Sequence, residues 1–286
     1  MFFDAPGTKR QLLWKKFLNR LHDSCDPKTS DKRVDSPVKF EDFYFISTDA
    51  ERKTLQAEVY SILSCDPYYN PSLSNSNKKI AFHFRHFVDY WMRGGPYQIE
   101  NVRVSDGDIV IDAGANMGVF SLLAMHQGAE KVYAFEPNPR AYTQFLERNI
   151  ELNNGQHTII PISYGLGAKK EVVEFIDVEE NIGGSRILNP DKDTFRNGNI
   201  ISVNITTLDS FVRENDILHV DFIKADIEGA ERLMLEGARD TIKRFHPRLS
   251  ICTYHLPDDK AVLTRIIKDI DPSYNIRHSP YKLYAW

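Results

Sequence analysis

The chain has 286 residues, 42% hydrophobic and 27% charged, which suits a globular core in one large domain or in one ordinary domain with a smaller attachment. A net charge of −4 without any long Lys/Arg block argues against a protein that grips nucleic-acid phosphates. Three scattered cysteines (Cys25, Cys65, Cys252) give neither a disulfide framework nor a metal knuckle, and no apolar run reaches the roughly 18 residues of a membrane span.

The opening MFFDAPGTKRQLLWKKFLNRL lacks the continuous apolar core of a signal peptide, so a soluble, cytoplasmic protein is expected. Residues 1–100 are rich in charge and aromatics, and periodicity predicts helices near 9–22, 49–64 and 78–93. In IAFHFRHFVDYW, Phe84, Phe87, Val88 and Trp91 share one helical face. These residues read as a helical N-terminal extension: a cap, a substrate contact or a homo-oligomer surface. His83 and His86 also share a face, but no Glu/His partner follows at ligand spacing, and no metal ligands are assigned.

From 101 to 286 strand and helix signals alternate. DIVIDAG is a first strand; Gly118 to Met125 is apolar nearly all round, as in a buried helix. KVYAFEP, TIIPISYG, HVDFIKAD and RLSICTYH are four more strands, with helices at 139–152, over GAERLMLEGARDTI and over DDKAVLTRIIKDI. YNIRHS and YKLYAW close the chain as a hairpin. Such alternation means an α/β fold, a mostly parallel sheet covered on both faces, with an antiparallel edge. Between the third and fourth strands, EVVEFID, NIGGSRI and IISVNITTLDSF add strands and a mobile loop. Gly183 and Gly184 there suit either a lid whose Arg186 holds an anionic acceptor or an exposed hairpin tip.

The turn in VIDAGANMGVF decides the cofactor. A dinucleotide site wants G-x-G-x-x-G, but counted from Gly114 the second glycine is replaced by Asn116, and counted from two residues earlier the first is replaced by Asp112. A carboxylate there repels a pyrophosphate. S-adenosylmethionine has no phosphate: an acid can receive its ammonium, and N–H groups at a helix start its carboxylate. Glu136, 22 residues past Gly114, ends the second strand, where a carboxylate accepts ribose hydroxyls. The turn D-x-G-x-x-x-G together with that acid favours S-adenosylmethionine over NAD.

VIDAGANMGVFS, YAFEPNP, ITTLDSF, FIKADIEGAE and CTYHLPDD, in that order over roughly 105–285, resemble the FkbM family of S-adenosylmethionine-dependent methyltransferases. Its members mostly methylate hydroxyl groups of sugars, polysaccharide precursors and secondary metabolites. The resemblance implies a Rossmann-like class I methyltransferase fold with a seven-stranded sheet. It implies that Asp112, Gly114, Asn116 and Gly118 surround the methionine part and that Glu136, beside Pro137, binds the ribose. Tyr164 and Gly165 would border the adenine, and Asp226 would lie near the methyl group.

Methyl transfer to a hydroxyl gains from a base. Asp226, Glu228 and His255 converge on the strand ends as candidate catalytic residues, and Asp226 suits a base, a cofactor ligand or both. Glu228 equally suits the first turn of the next helix, and His255 a plain hydrogen-bonded role. The expected acceptor is a small molecule or sugar nucleotide. A polyketide hydroxyl or a nitrogen acceptor stays open, while an NAD-dependent oxidoreductase and a silent cofactor-binding module are less favoured.

Overall fold

The computed structural model describes residues 97–178, 182–189 and 198–286, together with two short strands. The three N-terminal helices expected from periodicity lie outside the described residues. The two strands, β1 (Val38–Phe40) and β2 (Phe43–Phe45), pair antiparallel between the helices expected near 9–22 and 49–64.

β3 (Ile109–Ala113) leads through a glycine turn into α1 (Val119–His126), buried from Val119 to Ala124. β4 (Lys131–Phe135) is followed by α2 (Pro139–Ala141), a π turn at Tyr142–Leu146 and α3 (Glu147–Leu152). Asn138 caps this stretch, its side chain accepting from the N–H groups of Arg140 and Ala141, and Pro139 sits where no N–H is needed. β5 (Ile159–Ile162), β6 (Gly165–Leu166), β7 (Glu171–Asp177), β8 (Arg186–Ile187) and β9 (Asn199–Thr206) follow. α4 (Leu208–Glu214), capped by Thr207, returns the chain to β10 (Phe222–Ala225). Then come α5 (Glu231–Glu236), α6 (Arg239–Phe245), β11 (Arg248–Cys252), α7 (Asp259–Ile270), β12 (Ile276–His278) and β13 (Lys282–Ala285).

The main sheet has the order β12-β13-β11-β10-β3-β4-β5. Five strands are parallel, and β13 and β12 form the antiparallel edge. The chain steps outward from β3 to β5, then crosses to β10 on the other side. β3 and β10 therefore flank the reversal of strand order, where ligands bind in such sheets.

Strand alternation feeds two cores. Val110 and Phe222 pack with Phe120 of α1 on one face, while Ile111 and Ile223 pack with Met234 and Leu263 on the other.

Two expectations change in detail. GAERLMLEGARDTI forms two helices, not one, broken at Gly237. A Cβ on Gly237 would lie 2.0 Å from the carbonyl oxygen of Gly167, so two backbones touch where a straight helix would carry a side chain. The excursion after β5 is a second sheet, β6-β9-β7-β8, and Arg186 lies in β8, its guanidinium donating to the Gly184 carbonyl.

Candidate active site

Alternation also aims Asp112 of β3 and Lys224 of β10 at the α1 face, and the strand register sets them opposite each other. Asp112 is 0% exposed and Lys224 3%. Lys224 Nζ lies 2.9 Å from Asp112 Oδ1 and donates to the carbonyls of Gly114 (2.6 Å) and Ala113 (3.2 Å). The ammonium thus donates to two backbone carbonyls and ion-pairs with the carboxylate. Asp112 Oδ2 accepts from Ser121 Oγ at 2.6 Å. Burial alone would lower the Lys224 pKa, but Asp112 and Asp226 outweigh it and raise it. This corrects one expectation: Asp112 is sealed under the turn and cannot touch a donor's ammonium directly. Its charge reaches the turn through Lys224.

The turn itself is dictated by contact. Gly114 has φ +75°, and a Cβ there would sit 2.0 Å from the Asp226 carbonyl oxygen. Only glycine allows that approach. Gly118, at φ +85°, opens α1. Asn116, at φ 49°, turns its backbone N–H onto Glu136 Oε2 at 2.9 Å, and Asn138 N–H donates to Oε1 at 2.9 Å.

Glu136 is buried. Burial pushes its pKa up to about 7; the two N–H groups and Lys224 pull against that rise, and Asp112 adds to it. Each carboxylate oxygen keeps a lone pair beyond its N–H bond, which is what two adjacent ribose hydroxyls require. The donor set therefore fits a nucleoside. Pro137 follows half-buried, Tyr164 stands exposed beyond β5, and Gly165 is buried against Ile205 and Pro137.

On the other side of Gly114 the structure brings Asp226, Glu228 and His255 together. Asp226 Oδ2 accepts from Tyr97 Oη at 2.5 Å and Oδ1 from Tyr254 Oη at 2.9 Å. Burial would raise the Asp226 carboxyl, but Lys224, His255 and Lys282 hold it below the usual carboxylate range.

His255 Nε2 lies 3.4 Å from Glu228 Oε1 and 3.6 Å from Asp226 Oδ1, and Nδ1 lies 3.0 Å from Glu231 Oε1. Burial alone would lower its pKa; Glu228 and Glu231 instead raise it to about 10. The ring is then an imidazolium near neutral pH.

The helix-start role open to Glu228 belongs to Glu231, which accepts the Ile227 N–H at 3.0 Å. Glu228 precedes the helix at φ 53° and faces His255. Sequence reasoning missed Tyr97, Tyr254 and Glu231. Tyr254 and Glu231 stand inside quoted motifs, beside His255 and Ala230, but Tyr97 is 129 residues from Asp226 and carries no local signal.

A parallel sheet with a strand-order reversal, a glycine turn at that reversal and an acid ending the next strand define a Rossmann-like nucleoside-binding domain of the methyltransferase type. A model of the methyltransferase FkbM domain matches residues 112–273, more than half of the chain, and the chain belongs to that family.

Among named relatives, the hexuronic acid methyltransferase AglP of Haloferax volcanii is 22% identical over 173 residues, covering 60% of this chain and 66% of that protein. Methyltransferase sdnD of Sordaria araneosa is 26% identical over 168 residues, covering 49% and 63%. The chain thus spans just under two thirds of the length of these relatives. A crystal structure of an FkbM methyltransferase from Methylobacillus flagellatus KT shares 22% identity and a TM-score of 0.49, covering 82% of this chain and 59% of that one. Among the described residues, no helix is long and apolar enough to cross a membrane.

Proposed function

We propose that the chain transfers a methyl group from S-adenosylmethionine to a hydroxyl of a sugar or sugar-bearing small molecule. The observation that carries this reading is the contact of Gly114 with Asp226. It sets a nucleoside-fitting carboxylate, Glu136, and an ionised one, Asp226, on opposite sides of one turn.

When bound, the donor supplies an electrophilic methyl group on a sulfonium. Glu136 accepts the ribose hydroxyls. Asp226 would accept the proton of the acceptor hydroxyl as the methyl group passes to that oxygen, with the thioether as leaving group. Tyr97 and Tyr254 fix the orientation of Asp226, and His255 and Lys224 keep it charged. Holding oxygen, carbon and sulfur in line supplies much of the rate.

A carbohydrate acceptor is supported by the name of one relative, a hexuronic acid methyltransferase. Tyr97, at the junction with residues 1–100, touches Asp226, which supports a cap role for that extension. Mass spectrometry of reactions with nucleotide-linked sugars should show a gain of one methyl group. Products only from polyketide or amine acceptors would overturn the carbohydrate assignment.

Glu136 predicts a pH effect. Its carboxyl, raised to about 7, must ionise to accept two hydroxyls. S-adenosylhomocysteine affinity should therefore rise as pH climbs from about 6 to 8. Glu136→Gln should bind about 10- to 100-fold more weakly, with a flat profile, because bonds to a charged acceptor are the stronger ones. Calorimetric titration across pH checks both. A parent profile as flat as the variant's would remove Glu136 from the ribose site.

A further inference from the structure

Asp226, Glu228 and His255 each offer one ligand atom, and these atoms lie within 4.8 Å of one another. Around a cation held at about 2.0–2.2 Å by nitrogen and oxygen, neighbouring ligand atoms stand about 3.0–3.6 Å apart. The two edges that meet at His255 Nε2, 3.4 and 3.6 Å, already have that length. The third closes by movement of Glu228, whose side chain is 29% exposed and stands in the turn before α5.

A second observation points to a ligand. The His255 side chain is only 8% exposed, and both ring nitrogens are shielded from solvent without an aligned hydrogen bond among the described residues. Nδ1 stands 3.0 Å from Glu231, itself 1% exposed and pinned by the Ile227 N–H, which aims Nε2 between Asp226 and Glu228. A carboxylate behind a histidine is the arrangement that orients metal-binding imidazoles.

We propose that Asp226, Glu228 and His255 form a divalent-cation site beside the methyl-transfer position, with Glu231 as its positioning residue. Two carboxylates and one imidazole suit Mn²⁺, Fe²⁺ or Zn²⁺ better than the all-oxygen preference of Ca²⁺. As the cation binds, the proton on Nε2 leaves to solvent, and Nδ1 keeps its proton beside the Glu231 carboxylate. Three protein ligands leave coordination positions open for acceptor oxygens; that last role rests on the methyl-transfer reading, whereas cation binding does not.

The test is a Mn²⁺ titration of the full chain, following the free ion by electron paramagnetic resonance. One saturable site per chain is expected, weakened at least about 10-fold by Glu228→Gln or His255→Gln. Glu231→Gln should weaken it about 10- to 100-fold while S-adenosylhomocysteine binds as in the parent. The half-exposed Glu228 gives a variant whose folding is not in question, and donor binding on each sample checks the others. Absence of saturation up to millimolar Mn²⁺, or variants that bind as the parent does, would overturn the site. Donor binding without cation binding rejects this inference alone; cation binding without donor binding rejects the methyl-transfer reading alone.

Discussion

Asp226→Asn should slow methyl transfer by about 10²–10⁴-fold, the range lost with a positioned base, while S-adenosylhomocysteine binds within a few-fold of the parent. The substitution keeps the shape: an amide oxygen still accepts from one tyrosine, and the other hydroxyl rotates to accept from the amide. What disappears is the charge. Lys224, His255 and Lys282 hold that charge in place against burial. Its folded pKa lies below the ordinary value, so the carboxylate is ionised at neutral pH. The stability it contributes is present there and lost only as pH falls through the folded value. Asp226→Ala, which also frees both tyrosines, should abolish turnover. Single-turnover kinetics beside donor titration separates chemistry from binding. Full turnover by Asp226→Asn would end its assignment as the base.

The sheet was legible because its signals are local. Short apolar strands alternate with helices, and the closing hairpin follows from two runs joined at Ser279–Pro280. Gly114, Asn116 and Glu136 were legible because turn and strand end lie close in sequence. Asp112 was not: choosing between a ligand contact and a buried pair needs the register of β3 against β10, 111 residues away in the case of Lys224 and Ala113. The same holds for His255. Its residue type suggests a base at neutral pH, but three carboxylates that reach it from separate positions turn it into a cation. Gly237 shows the limit for elements, since helical spacing runs through it and only the Gly167 backbone breaks the helix.

Lys224→Met should destabilise the fold by about 3–5 kcal/mol, because it leaves Asp112 charged and buried with Ser121 as its remaining hydrogen-bond donor among the described residues. Methionine matches the length of the lysine stem, so a cavity is not the cause. The Lys224 pKa is raised in the fold, so its contribution is complete below the ordinary lysine value and lost only at strongly alkaline pH. A neutral-pH denaturant titration therefore reads all of it. Asp112→Asn combined with Lys224→Met removes both charges and should recover most of the stability, since the amide oxygen still accepts from Ser121. It should not recover donor affinity. The carbonyls of Gly114 and Ala113 have lost the ammonium that held the turn, and that loss is the same in both variants. Stability and binding then separate, which distinguishes a lysine that merely neutralises Asp112 from one that shapes the donor site. A single variant costing under about 1 kcal/mol, or a double variant binding the donor as the parent does, would give the turn another support.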